Sequence, residues 1–178
     1  MDFLNLAKDR YSCRMLDPRP VEQEKIDRII EAALCAPTAV NKQPFRVFVL
    51  QSPEALAKAG EAFPFDFVRK APALIVIGAK EDEAWVRKFD SRNFADVDAT
   101  IVATHVMLAI HDLGLVSTWI GNFDPTVMKA AFPVMEGLDL IALFPVAYPA
   151  QDAAPGAKHT VSRECGELIC RQIGRAHV

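Results

Sequence analysis

The stretch APTAVNKQPFRVFVL, residues 36–50, joins a predicted helix to a predicted core strand. Apolar residues recur at helical spacing just before it, namely Ile26, Ile29, Ile30, Ala33 and Leu34. This spacing predicts a helix over 21–34, which Pro37 brings to an end. The apolar run from Phe45 to Leu50 then predicts a strand.

The joint between this helix and strand is unusually polar, since it carries Thr38, Asn41 and Gln43. One interpretation is an ordinary turn in which Asn41 and Gln43 satisfy local backbone groups. The other is a joint whose exposed polar side chains and backbone N–H groups bind a ligand. The residues of the joint do not decide between the two.

The same reasoning places the other elements of the chain. Helices are predicted at 3–9, from Ser52-Pro53, at 98–113 and at 124–131, with a short element at 164–170. Strands are predicted at 73–78, at 116–120 and at 138–148, the last interrupted by Pro145. Without an internal repeat or a linker, these elements predict one α+β domain over residues 1–171.

Composition excludes several classes of protein. Hydrophobic residues make up 51% of the chain, which is typical of a globular domain. The net charge of −3 gives no reason to expect nucleic acid, and the apolar runs are too short to cross a membrane. The beginning of the chain does not resemble a secretory leader. The four cysteines form no C-x-x-C pair and have no histidine at metal-ligand spacing. We therefore expect a cytoplasmic protein without a metal, its cysteines reduced and mostly buried.

The last seven residues, from Gln172 to Val178, are unlike the rest of the chain. Back-translated as CAG-ATC-GGA-AGA-GCA-CAC-GTC, they contain the start of a common sequencing-library adapter. Our hypothesis is that 172–178 is a non-native tail and that the native C-terminus was lost after about Arg171. A genomic clone that carries the same codons would refute it.

Two further segments have the composition of a binding site. Arg10-Tyr11-Ser12-Cys13-Arg14 sets two guanidiniums and a hydroxyl on alternate residues, which suits one phosphate, although a basic helix end has the same composition. GLVSTWIGNFDP, residues 114–125, leads an apolar strand into Gly121, where a planar ligand can approach the backbone. The plainer interpretation of this second segment is a strand, a turn and a helix around a core Trp119.

Taken in order, R-x-S-x-R, A-P-T-x-x-N-x-Q-P-F and G-L-x-S-x-W-I-G-x-F-D resemble the FMN-dependent nitroreductase family. The resemblance extends from Phe3 to about Cys170 and includes RKAPALIVIGA at 69–79 and AYP at 147–149. It implies an α+β, three-layer sandwich with a mostly antiparallel sheet and an obligate homodimer with two FMN sites at the subunit interface.

The resemblance also implies which residues bind the cofactor. The phosphate and its neighbouring atoms would lie against Arg10, Tyr11, Ser12 and Arg14. The partner subunit would supply Pro37, Thr38, Ala39 and Asn41, and the flavin ring would lie against Ile120, Gly121 and Asn122. The family usually completes the phosphate site with a C-terminal basic residue, for which this chain offers Lys158 and Arg163. It often has Trp where Phe45 stands, and the 60–95 segment is short, so the lid of larger members is reduced.

The implied activity is that of an NAD(P)H-dependent oxidoreductase. NADH or NADPH would reduce FMN, and a nitroaromatic, quinone or related small acceptor would then take two electrons in a ping-pong cycle. The cofactor carries this chemistry, so no catalytic side chain is assigned. Alternatives are a flavin-binding carrier or sensor, or a family member with other flavin chemistry such as dehalogenation or flavin destruction.

Overall fold

A computed structural model describes residues 2–170 of the chain. Its helices are α1 Phe3–Asp9, α2 Gln23–Leu34, α3 Pro53–Gly60, α4 Ala95–Asp112, α5 Pro125–Ala131 and α6 Cys165–Leu168. Its strands are β1 Leu16–Asp17, β2 Phe45–Leu50, β3 Ala73–Ala79, β4 Asp139–Val146 and β5 Tyr148–Pro149. Residues 172–178 lie outside the described residues, so the hypothesis of a non-native tail stays a prediction. No described helix is long and apolar enough to cross a membrane.

The central sheet has the order β2-β3-β4, and both of its pairings are antiparallel. Val47 lies opposite Ile77, and Ile75 lies opposite Phe144. The prediction of an α+β fold with a mostly antiparallel sheet is therefore confirmed. A second, two-stranded sheet joins β1 to β5, which was not predicted, because two-residue strands leave no periodicity to detect.

Every residue of β3 is buried, because both faces of this strand pack against other parts of the chain. Ile75 and Ile77 point into a core shared with α2 and α4, whereas Leu74 and Val76 point into a core shared with α3 and α5. A bulge in β4 moves the register from Ile77–Ala142 to Gly78–Leu140. The extra residue sends Leu140 to the opposite core from Ala142.

The strand predicted at 116–120 is only partly correct. Its backbone pairs with β4 at both ends, through the isolated bridges Val116–Ala147 and Ile120–Leu143. The register of these bridges sets Thr118 opposite Pro145, which has no backbone N–H to donate. Pro145 therefore opens a gap in this outer ladder. It does not interrupt β4 as predicted, since β4 pairs with β3 through it.

Several boundaries also differ from the predictions. α4 begins at Ala95 rather than Asp98, because the Asn93 side-chain oxygen accepts the Ala95 N–H at 2.8 Å. The element predicted at 164–170 is a single short helix, α6. Of the four cysteines only Cys13 is buried, so the expectation of buried thiols is wrong for Cys35, Cys165 and Cys170. All four are free thiols.

Candidate active site

The first part of the candidate site is a cavity of about 340 Å³ beside the segment that follows α1. Its lining residues are Arg10, Tyr11, Ser12, Arg14, Gly156, Lys158 and His159. The segment is extended: Cys13 points into the core, while Ser12 and Arg14 are exposed. The Cys13 N–H donates to the Ser117 carbonyl at 2.9 Å and fixes the segment against residues 116–120. Three cationic side chains and a hydroxyl thus face one cavity, the donor set that a phosphate requires.

The C-terminal segment contributes Lys158 to this cavity but not Arg163. The Arg163 guanidinium lies instead on the Glu167 carboxylate at 2.8 Å, and it is not among the described lining residues. His159, which packs edge-on against Tyr11 with ring centroids 6.2 Å apart, lines the cavity beside Lys158. Burial raises the pKa of Tyr11, and the neighbouring Cys13 raises it further. The Tyr11 hydroxyl therefore stays a neutral donor at neutral pH.

The second part is a cavity of about 240 Å³ that shares Arg14 with the first. The remaining lining residues are Phe65, Phe67, Thr118, Trp119, Ile120, Gly121 and Asn122. A few residues after Asn122, the Asp124 carboxylate accepts the N–H groups of Thr126 and Val127, and α5 begins there. Sequence reasoning missed Phe65 and Phe67, although the aromatic cluster FPFDF at 63–67 was a signal for them. The two rings lie with centroids 5.8 Å apart and make one wall aromatic.

Gly121 has no structural explanation within the described chain. A Cβ built there meets no other atom within 4 Å, and its φ lies outside the left-handed region. Neither close packing nor backbone conformation requires glycine at this position. The space beside Gly121 is therefore open to a ligand or to a second subunit.

The polar joint lies apart from both cavities. Among the described residues, those lining the two cavities do not include Pro37, Thr38, Ala39 or Asn41. The joint is strained, because Val40 and Asn41 have φ values of 47° and 57° in the left-handed region. For the β-branched Val40 this conformation is uncommon and costs about 1–2 kcal/mol, whereas asparagine tolerates it better.

Both interpretations of the joint find support in its contacts. Gln43 donates its backbone N–H to the Thr38 hydroxyl at 3.0 Å and its side-chain amide to the Asn41 side chain at 3.2 Å. These are the local contacts of an ordinary turn. However, the Val40 side chain is 70% exposed, and the Asn41 side chain also faces outward. The joint is therefore an outward-facing turn that is closed by local hydrogen bonds.

A residue that sequence reasoning did not assign to the site connects this joint to α4. The Asp98 carboxylate accepts the Ala39 N–H at 2.9 Å, although the two residues are 59 positions apart. Asp98 is 1% exposed, and its second carboxylate oxygen has no hydrogen-bond partner among the described residues. A buried acid in an otherwise apolar helix face was the signal for it in the sequence.

The fold and the two cavities, which share Arg14, define a class of protein: an α+β domain with a cationic cavity next to one that has an aromatic wall. The model of the nitroreductase family matches residues 7–64 and 62–148, so the chain belongs to the nitroreductase family, a family of oxidoreductases. A relative from Methanothermobacter thermautotrophicus, which carries the name NADH dehydrogenase/NAD(P)H nitroreductase, is 31% identical over 163 residues. That alignment covers 89% of this chain and 82% of the relative.

Two solved structures extend the comparison. A nitroreductase family protein from Clostridium difficile 630 superposes with a TM-score of 0.88 at 32% identity, covering 97% of this chain and 99% of that one. A nitroreductase from Desulfovibrio desulfuricans, solved in complex with FMN, has a TM-score of 0.77 at 22% identity and covers 96% of each chain. At that identity the second likeness concerns the fold alone.

Proposed function

We propose that this protein binds FMN and works as an NAD(P)H-dependent reductase of small acceptors such as nitroaromatics and quinones. The observation that carries the proposal is the position of Arg14, which lines both the cationic and the aromatic-walled cavity. A ligand with a phosphate at one end and a planar ring at the other fits this pair of cavities. The relative from M. thermautotrophicus is named for NAD(P)H, and the D. desulfuricans protein was solved with FMN.

The donor set of the chain fits FMN. Arg10, Arg14, Lys158 and the Ser12 hydroxyl would bind the phosphate through charge-assisted hydrogen bonds, with Tyr11 beside them. Ile120, Gly121 and Asn122 would lie along the ring, where the missing side chain of Gly121 leaves open space. Arg163 stays a weaker candidate, since Glu167 holds it outside the cavity.

When bound, FMN supplies the hydride chemistry, and the side chains of this protein supply position and electrostatics. The charge of Arg14, which lines both cavities, favours an electron-rich ligand beside it. Phe65 and Phe67 form an apolar wall beside Gly121 and would exclude water from one side of a bound acceptor. A side chain that moves a proton is not needed for this role.

The proposal includes a homodimer with a three-layer arrangement in each subunit. α1, α2 and α4 border a mostly apolar groove of about 580 Å³. Its lining residues are Phe3, Leu6, Ala32, Leu108 and Ala109, together with Thr104, His105 and Asp112. Phe3 is 72% exposed and Leu4 is 60% exposed, which is unusual for large apolar side chains in a monomer. We propose that a second copy covers this groove and that Pro37, Thr38, Ala39 and Asn41 then complete the partner's FMN site.

One experiment tests the activity. The purified protein should be yellow, with a flavin band near about 450 nm that NADPH or NADH bleaches under anaerobic conditions. A nitroaromatic or a quinone should then restore the band. The Arg10→Ala/Arg14→Ala variant is the matched control, and it should lose the flavin. Protein that binds no FMN would overturn the proposal, whereas a flavin band that neither nucleotide bleaches would indicate the carrier or sensor instead.

A further inference from the structure

We propose that Asp98 is a positioning residue, which holds the strained joint at Thr38–Gln43 in the conformation that contacts FMN across the dimer. The inference rests on the proposed function above. It adds a residue that lies in the core of one subunit and acts on the cofactor only through the backbone of another element.

The joint needs an external support because its own conformation is unfavourable. Val40, Asn41 and Gln43 all have left-handed φ values, of 47°, 57° and 52°, and none of them is glycine. Residues in this region persist only when the surrounding structure holds them there. Thr38, with ψ of 158°, leads into the turn from an extended conformation.

Asp98 is that support. Among the hydrogen bonds of residues 2–170, those of Thr38–Gln43 stay within residues 38–45, apart from the bond from the Ala39 N–H to Asp98 at 2.9 Å. Asp98 lies in the first turn of α4, the long helix that packs on the central sheet. The bond therefore connects an exposed turn to a helix that packs on the central sheet and on α2.

The burial of Asp98 is unfavourable for a polar side chain, and this supports a role in holding the joint. Its side chain is 1% exposed, and its second carboxylate oxygen lacks a partner among the described residues. A buried carboxylate with one hydrogen bond is unfavourable compared with an apolar residue of similar size. An apolar residue at this position could not accept the hydrogen bond from the Ala39 N–H.

The test compares three variants of the full-length protein. Asp98→Ala removes the acceptor, whereas Asp98→Asn keeps one side-chain oxygen for the Ala39 N–H. Val106→Ala is the control for a weakened core, because Val106 is fully buried in α4 about two turns beyond Asp98. FMN affinity is measured by flavin fluorescence, and hydrogen exchange is followed at the amides of residues 39–43 in the FMN-free protein.

Asp98→Ala should raise the Kd for FMN about tenfold or more, as losses of a supporting contact do at other sites. It should also speed exchange at residues 39–43. Asp98→Asn should restore both readouts to within about threefold of wild type, since it keeps the acceptor. Val106→Ala should lower the free energy of unfolding and change neither the Kd for FMN nor the exchange rates at residues 39–43. Equal Kd values for wild type and a folded Asp98→Ala, or equal losses in Asp98→Ala and Val106→Ala, would overturn the inference.

Two further measurements test the role of Asp98 if Asp98→Ala does not fold or if the wild-type protein does not bind FMN. If Asp98→Ala does not fold, Ala39→Pro removes the same bond from the donor side. The extended Thr38 suits the residue before a proline, so this variant should fold and should also raise the Kd. A wild-type Kd in Ala39→Pro would overturn the positioning role. If wild-type protein does not bind FMN, the proposed function fails, and the exchange rates at 39–43 still decide whether Asp98 holds the joint.

Discussion

Two residues in and near the candidate site do not follow the usual conformational preferences of their residue types. Gly121 occupies a position where neither φ nor packing requires glycine, whereas Val40 occupies one where φ is 47°. Local rules of this kind are broken at functional sites more often than elsewhere, because selection for function tolerates the strain. At the residue scale, these two exceptions mark the open cavity and the projecting joint.

Gly121→Val should separate stability from binding. The free energy of unfolding should change by less than about 0.5 kcal/mol, since the new side chain meets no described atom of its own chain. The bound FMN should nevertheless be lost or its turnover should fall, because the side chain enters the space proposed for the ring. Urea unfolding and flavin content together measure this. A variant with normal flavin content and normal NADPH oxidation would remove Gly121 from the site.

Arg10→Ala and Arg14→Ala should each weaken FMN by about 1.5–3 kcal/mol, the contribution of one charge-assisted hydrogen bond. Arg14→Ala should have the larger effect, because Arg14 lines both cavities. Arg28→Ala removes the same charge from the exposed face of α2 and is the matched control. Titration with FMN gives the Kd of each. A double variant that still purifies with stoichiometric FMN would show that the phosphate lies elsewhere.

At the scale of elements, α4 contacts the joint, the apolar groove and the segment that follows α1. Its first turn carries Asp98, its middle forms one side of the apolar groove through Leu108, and its last turn carries His111 beside Arg10. Burial lowers the pKa of His111, and the neighbouring Arg10 lowers it further. Asp9 and Asp112 oppose the shift only in part.

The lowered pKa of His111 predicts a pH dependence of stability. The unfolded chain binds a proton at His111 with a pKa of about 6.5, and the folded chain binds it less readily. The free energy of unfolding should therefore keep its full value above about pH 6.5. It should decrease as the pH falls from this value towards the pKa of His111 in the folded chain. Urea unfolding of wild type and His111→Gln at about pH 7.5 and 5.5 measures it. An equal pH effect in both proteins would contradict the assignment.

At the scale of the whole molecule, the groove on α1, α2 and α4 is an apolar surface that the described residues leave exposed. Because the proposed FMN site takes residues from both copies, cofactor binding and dimerisation should be thermodynamically linked. A monomer would contain the cationic cavity and the cavity beside Gly121, but it would lack the joint that the partner subunit contributes. FMN should accordingly shift the protein towards dimer at low concentration.

Leu108→Glu should disrupt the dimer, because it places a charge in the apolar groove without entering the cores on the sheet. The variant should remain folded, sediment as a monomer and bind FMN more weakly by about tenfold or more. Val134→Glu is the control, since Val134 is 73% exposed and does not line the groove. A flavin-saturated monomer, in wild type or in Leu108→Glu, would overturn the interface.

The sequence by itself determined the features that depend on neighbours along the chain. The spacing of Ile26 and Ile29 predicted α2, and Ser52 and Asp124 were recognised as helix starts, where both accept backbone N–H groups as expected. The three motifs also identified the family, which the family model confirms. These signals are readable because helical periodicity and capping involve residues only a few positions apart.

Only the tertiary structure decided which distant segments meet. Arg14 lines both the cationic cavity and the cavity that contains Gly121, Asp98 accepts the Ala39 N–H, and Pro145 lies opposite Thr118 in the outer ladder of β4. Each of these contacts depends on the register of strands or on the packing of a helix against a turn. Such contacts leave no periodicity in the sequence, because the residues that make them are dozens of positions apart and are brought together by burial of the two cores.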